Sequence, residues 1–314
     1  HKKHGGIDFY YLADSLNKFE YHMSTTNCKK KRNKYSKSMN ILIVDGNEKK
    51  ASDSYVELGM DTQYEVYSKI LKKLSNNLLN ITIVHPAVED NFIPLGVNLD
   101  DFDGIAWTGS LLNIYDATPS INRQIELAKK LLTKKNNIFG SCWGLHVLVT
   151  AAGGKIRKNP NGLEAIVARN IILNEQGINH PMYYGKNSTF DSFCWHYDDT
   201  EFLPENTTVL ASNEKSKIQA ISFRNKNSII WAVQYHPEFD PVWMSGLMNQ
   251  REKVLLEEGI YKNQEEFSSY KNFFSNVKKF YDQKNHLNIS NNLINEKLHT
   301  IELSNWLNYI KSTD

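Results

Sequence analysis

The stretch NNIFGSCWGLHVLVTAAGG, Asn136–Gly154, decides how the rest of the chain is read. A short apolar run leads into Gly140. Cys142 stands between Gly140 and Gly144, and a second apolar run of helical character follows until Gly153 and Gly154 stop it. Strand, tight turn and helix in this order form an elbow that lifts one side chain above the carboxyl end of a parallel sheet, where active groups of such sheets gather. The glycines leave room where a Cβ would not fit, and the following helix turns its N-terminus and free N–H groups toward the sulfur. Taken alone, Cys142 is readable either as a nucleophile or as a small buried residue at a bend.

Working outward, the same alternation recurs upstream. MNILIVDG (39–46) reads as a buried strand closed by a turn. DTQYEVYSKILKKLSNN (61–77) carries Tyr64, Tyr67, Ile70, Leu71 and Leu74 at helical spacing, with Asp61 as the expected N-cap. NITIVHPA (80–87) and FDGIAWTGS (102–110) are further strands, the second ending in a Thr-Gly-Ser loop. TPSINRQIELAKKLLTKKN (118–136) has Pro near its start and lysines in its last turn, as a helix should. Continuous apolar strands alternating with amphipathic helices predict a mostly parallel α/β sheet covered on both faces. After residue 155 the pattern changes. TTVLAS, IQAISFR and SIIWAVQYHPEF follow one another closely and read as antiparallel additions. The remainder, from about residue 255, reads as amphipathic helices. The expected organisation is a leader over 1–38, an α/β domain over 39–254 and a helical appendage over 255–314.

Composition is that of an ordinary globular chain, with 40% apolar and 23% charged residues and a net charge of +2 over 314 residues. The charge is concentrated in the leader, where KKKRNKYSK (29–37) lacks apolar periodicity and reads as a solvated tail rather than a nucleic-acid or lipid site. Three cysteines, Cys28, Cys142 and Cys194, form neither a disulfide scaffold nor a zinc pattern, so no metal is expected. No apolar run reaches the roughly 18 residues of a membrane span. A cytoplasmic protein without nucleic-acid or membrane partners is the expectation.

A thiol nucleophile needs a base, usually His, and the base benefits from a carboxylate that orients it. VQYHPEF (233–239) supplies both. In an extended segment His236 and Glu238 project to one side at the end of an apolar strand. G-x-C-x-G followed some ninety residues later by strand-H-P-E is far more specific than either half. With these two motifs the chain resembles the class I, triad-type glutamine amidotransferases, and among them the free-standing proteins similar to the glutaminase part of GMP synthase, over roughly residues 40–250.

The resemblance implies a flavodoxin-like open sheet and a site used without cofactors. Cys142 would be the nucleophile, His236 the base and Glu238 its orienting partner, working through a γ-glutamyl thioester. The oxyanion hole would use backbone N–H groups of Trp143 and of Gly109 or Ser110. WHYDD (195–199) matches a family loop whose backbone holds the amino-acid end of glutamine, which carries that role to Trp195 and His196. One position departs from the family pattern C-x-G-x-Q, because His146 stands where the family has the glutamine-binding Gln. His and Gln differ in donors and acceptors. The departure leaves the thiol chemistry intact and turns attention from glutamine to γ-glutamyl amines or peptides. Three functions follow. The leading expectation is glutamine hydrolysis with ammonia passed to a separate synthetase subunit, since no phosphate-binding G-x-x-x-x-G-K-[ST] run is present. Another is a stand-alone γ-glutamyl hydrolase or transferase. The third is a binding or assembly protein with a vestigial site. Cys194 and His180 read as structural.

Overall fold

The computed structural model describes residues 38–313. The basic run Lys29–Lys37, the leader expected over 1–38 up to its last residue, and Cys28 lie outside the described residues. Strands β1 (Met39–Val44), β2 (Leu79–Val84), β3 (Gly104–Trp107), β4 (Asn137–Ser141) and β11 (Ser228–Val233) pair in parallel in the order β2-β1-β3-β4-β11. This is the strand order of flavodoxin-like sheets. Helices α1 (Lys49–Glu57), α2 (Gln63–Leu74), α3 (Pro119–Leu132) and α4 (Trp143–Ala151) make the crossovers.

Beyond β11 the sheet continues antiparallel through β10 (Ala220–Asn225), β9 (Thr208–Ser212), β6 (Glu164–Leu173) and β7 (Thr189–His196), nine strands in all. A separate hairpin-like pair joins β5 (Lys155–Lys158) to β8 (Asp198–Phe202). The additions expected after residue 155 are therefore present. The strand expected to carry His236 ends at Val233, and the histidine follows in a turn. That strand belongs to the parallel set on one side and to the antiparallel set on the other.

Alternation along β1 explains why the sheet needs two covers. Ile41 and Ile43 pack into one cluster, and Leu42 and Val44 into another on the opposite face. The second face is covered by α3 and α4 through Leu127, Leu131, Val147 and Leu148. The first is covered by α2 together with α11 (Ile301–Thr313), whose Leu303, Trp306, Leu307 and Ile310 are buried in it. The helical stretch from residue 255 is thus built into the core of the sheet, and residue 255 itself falls inside α7 (Glu252–Glu257). Spacing shows which helix face is apolar, but not that its partner is a sheet two hundred residues away. The remaining helices, α5 (Glu175–Ile178), α6 (Pro241–Gln250), α8 (Gln264–Ser275), α9 (Asn291–Ile294) and α10 (Glu296–His299), follow in chain order, and α6, α8 and α9 pack with Phe193 and Trp195 in a third cluster.

Helix starts obey local chemistry. The cap of α2 is Thr62 rather than the expected Asp61, because only Thr62 closes a reciprocal box with Glu65. Asp61 instead pairs with Lys69. Pro119 opens α3 behind the Thr118 cap. Among the described residues no helix is long and apolar enough to cross a membrane.

Candidate active site

Cys142 closes β4 and opens α4 with φ 50° and ψ −101°. A non-glycine residue with positive φ carries roughly 1–3 kcal/mol of strain and persists only where its surroundings impose it. Here they do. Cys142 N–H donates to the Val233 carbonyl of β11 at 2.7 Å, and His146 N–H donates to the Cys142 carbonyl at 3.2 Å. The glycines on either side permit the close approach. A Cβ on Gly140 would stand 2.8 Å from the Gly144 carbonyl carbon, and one on Gly144 would stand 2.8 Å from the Trp107 carbonyl oxygen.

The sulfur lies 3.5 Å from the Trp195 carbonyl oxygen and 3.7 Å from Gln234 Nε2. Cys142 is 3% exposed. Burial pushes its thiol pKa up and the Glu238 charge adds to this, while the N–H of Trp143 and Gln234 favour the thiolate. The resting site therefore holds a neutral thiol, and thiolate forms as a base removes its proton.

The histidine expected to act as that base follows the end of the neighbouring strand. His236 Nδ1 lies 2.6 Å from Glu238 Oε1. Glu238 accepts through its other oxygen from Ser141 Oγ at 3.0 Å, and Tyr67 in turn hydrogen-bonds Ser141. With the carboxylate fixed at both oxygens, Nδ1 carries the proton and Nε2 keeps its lone pair. The ring stacks on Phe239 at 4.1 Å, and Phe239 stacks on Trp243 at 3.9 Å. A Cβ on Gly109 would stand 2.5 Å from His236 Cε1, so the Thr-Gly-Ser loop passes directly over the imidazole.

A cavity of about 210 Å³ opens above Cys142 and includes Ser110, His146, Trp195, His196, Asp198 and Arg251 in its lining. The three side chains expected to bind substrate, His146, Trp195 and His196, line this cavity together with Cys142 and Ser110, whereas Trp143, Gly109 and His236 are not among its lining residues. The His196 side chain is occupied, because Nδ1 faces the Asp198 carbonyl at 2.8 Å and Nε2 faces Glu164 Oε2 at 2.8 Å. Burial alone would raise the Glu164 pKa, but the bonds from His196, Asn213 and Gln219 outweigh it and hold it below the ordinary value. His146 Nε2 meets Gln234 Oε1 at 2.9 Å. The histidine thus braces the amide that faces the sulfur.

Sequence reasoning missed four residues here. Ser141 precedes the nucleophile. Gln234 was quoted with its strand, and its place two residues before His236 was the available signal. Asp198 is 3% exposed, and burial pushes its pKa up to about 6, although Tyr115 donates to it at 3.0 Å. Arg251 lies with its guanidinium 6.0 Å from the Trp195 ring centroid, and its buried Nε has no partner among the described residues. The last two carry opposite, largely uncompensated charges into one cavity.

Burial lowers the His146 pKa from 6.5 to about 4, and that of His180 likewise to about 4. The unfolded chain then takes up these protons at higher pH than the folded one. Their stabilising contribution is complete above pH 6.5 and is lost as pH falls toward 4. His146→Gln is expected to flatten this loss. Urea midpoints at pH 7 and pH 5 should lie closer together in the variant than in the wild type, and an unchanged separation would refute the assignment.

The sequence profile of the family described as "Glutamine amidotransferase class-I" matches residues 60–248. The γ-glutamyl-L-1-hydroxyisopropylamide hydrolase of Pseudomonas sp is 34% identical over 71% of this chain and 76% of its own length. The γ-glutamyl peptidase 5 of Arabidopsis thaliana is 28% identical over 49% of this chain and 60% of its own length. A solved glutamine amidotransferase of Thermotoga maritima superposes with a TM-score of 0.58 at 14% identity, over 87% of this chain and 98% of that one, which speaks for the fold. Profile match, parallel strand order and strand-to-helix elbow converge, and this chain belongs to the class I glutamine amidotransferase family.

Proposed function

We propose that this protein is a cysteine-dependent γ-glutamyl hydrolase acting on γ-glutamyl amines or peptides rather than on free glutamine. The observation that carries this reading is His146 locked onto Gln234 beside the Cys142 sulfur, where the family pattern has a glutamine-binding Gln. Two relatives named for γ-glutamyl hydrolysis support it. His236 Nε2 takes the thiol proton as Sγ attacks the γ-carbonyl carbon. The N–H of Trp143 and that of Gly109 or Ser110 receive the developing oxyanion. The C–N bond breaks, and the amine leaves with the proton from His236. Water then adds to the thioester, gives a proton to His236 and releases glutamate, and the proton returns to Sγ. Asp198 holds the α-ammonium and Arg251 the α-carboxylate, each opposite in charge to the group it holds.

The test compares kcat/KM of the purified chain on γ-glutamyl alkylamides, γ-glutamyl dipeptides and glutamine. At least about 10-fold preference for a substituted amide is expected. Glutamine as the best substrate would overturn the reading in favour of an amidotransferase that passes ammonia to a separate synthetase. Asp198→Asn and Arg251→Met should each raise KM about 10- to 100-fold, the worth of one hydrogen bond to a charged group. Asp198 must be ionised to hold an ammonium, so wild-type kcat/KM should fall as pH drops through about 6. The Asn variant should lack that limb, and its persistence would remove Asp198 from substrate binding.

A further inference from the structure

The two residues that flank His236 are both gripped by the C-terminal helices. Tyr235, just before it, donates its hydroxyl to Glu302 Oε1 at 2.8 Å and hydrogen-bonds Tyr183 at 2.7 Å. Pro237, just after it, offers its carbonyl to His299 Nδ1 at 3.1 Å, which makes that nitrogen the donor. Glu302 does not stand alone. Lys186 Nζ donates to it at 2.9 Å and to the Leu298 carbonyl at 2.9 Å, and the Lys186 and Glu302 side chains are 1% and 0% exposed. The Lys186 ammonium also sits 4.5 Å from the Phe190 ring, which meets Tyr235 edge-on at 5.6 Å.

A buried ion pair is a poor way to attach a helix. Apolar residues of the same volume hold as well without the desolvation cost. The packing of Trp306, Leu307 and Ile310 already anchors α11 to the sheet. What the pair adds is direction, because the Lys186 ammonium lies 2.9 Å from both Glu302 oxygens, and Oε1 also meets one tyrosine at a set point. With His299 it holds the backbone on both sides of one histidine. We propose that Glu302 and His299, with Lys186 behind them, are positioning residues that set the height and tilt of the His236 imidazole over the Cys142 sulfur. The C-terminal helices are then part of the active site's support.

The proposal rests on His236 being the base, and the test separates the two ideas. Tyr235→Phe keeps the ring and removes the link to Glu302. His299→Leu removes the link to Pro237, and His299→Asn restores a donor near the position of Nδ1. Displacing a reacting group by a fraction of an ångström lowers rate without weakening binding, so Tyr235→Phe and His299→Leu should each lower kcat about 10-fold with KM within about twofold. His299→Asn should recover most of the loss. The alkylation rate of Cys142 by iodoacetamide, followed by peptide mass spectrometry, should fall and recover in parallel. Unchanged kcat in Tyr235→Phe, or His299→Asn no better than His299→Leu, would overturn the positioning role. If the wild-type chain hydrolyses no γ-glutamyl compound, the function proposed above falls. The alkylation rates then still decide this inference, and equal rates in wild type and variants sink it.

Discussion

Cys142→Ala is expected to lower turnover of any γ-glutamyl substrate by about 10⁴-fold or more, as removal of a triad nucleophile does elsewhere. Burial and the Glu238 carboxylate favour the neutral thiol in the resting site. In the proposed mechanism thiolate appears only as His236 accepts the proton, so either partner is useless without the other. Loss of both side chains in Cys142→Ala/His236→Ala should then be no worse than loss of one. A multiplicative double loss would mean the two act separately. A glutamine-like electrophile should label Cys142 and spare Cys194, which is fully buried in β7 with its thiol pKa pushed well up. Labelling of Cys142 no faster than that of Cys28 would remove the enzyme reading altogether.

Gly144→Ala should damage both the fold and the candidate site. Its Cβ would lie 2.8 Å from the Trp107 carbonyl oxygen and 2.9 Å from Trp107 Cβ, and both are parts of β3 that the sheet holds still. Strand and helix must part by several tenths of an ångström. Overpacking of this kind costs roughly 1–3 kcal/mol. The shift also tilts α4, whose first N–H groups face the sulfur, so about 100-fold of kcat should go with it. The measurements are a melting curve and kcat on the best substrate from the screen. A variant that melts and turns over like wild type would show that the elbow tolerates a side chain there.

The reading from sequence succeeded where chemistry is local. Gly140, Cys142 and Gly144 define the elbow by spacing alone, and His236, Pro237 and Glu238 define the turn that holds the imidazole. It failed where chemistry is assembled by the fold. Helix α1 has a polar sequence in which only Tyr55 is buried, so no periodicity announces it. Strands β6 and β7 owe their pairing to each other rather than to flanking turn signals. Asp198 lies in the WHYDD run without a role of its own there, Arg251 lies in a polar stretch, and the meaning of both comes from sharing a cavity. The C-terminal helices displayed their apolar faces, but spacing carries no record of the surface those faces cover.

The adjacency of β4 and β11 has a consequence for how the protein comes into being. Gln234 and Cys142 touch across 92 residues of chain, and Lys186 reaches Glu302 across 116. Contacts of such separation form late, because the intervening loop must be closed first. During synthesis the cysteine emerges well before its histidine, and the histidine before the helix that steadies it. The nascent chain therefore carries its thiol for about ninety residues of synthesis without a partner to deprotonate it. If the distal helices steady the imidazole as proposed, full hydrolytic capacity is expected only once they have docked.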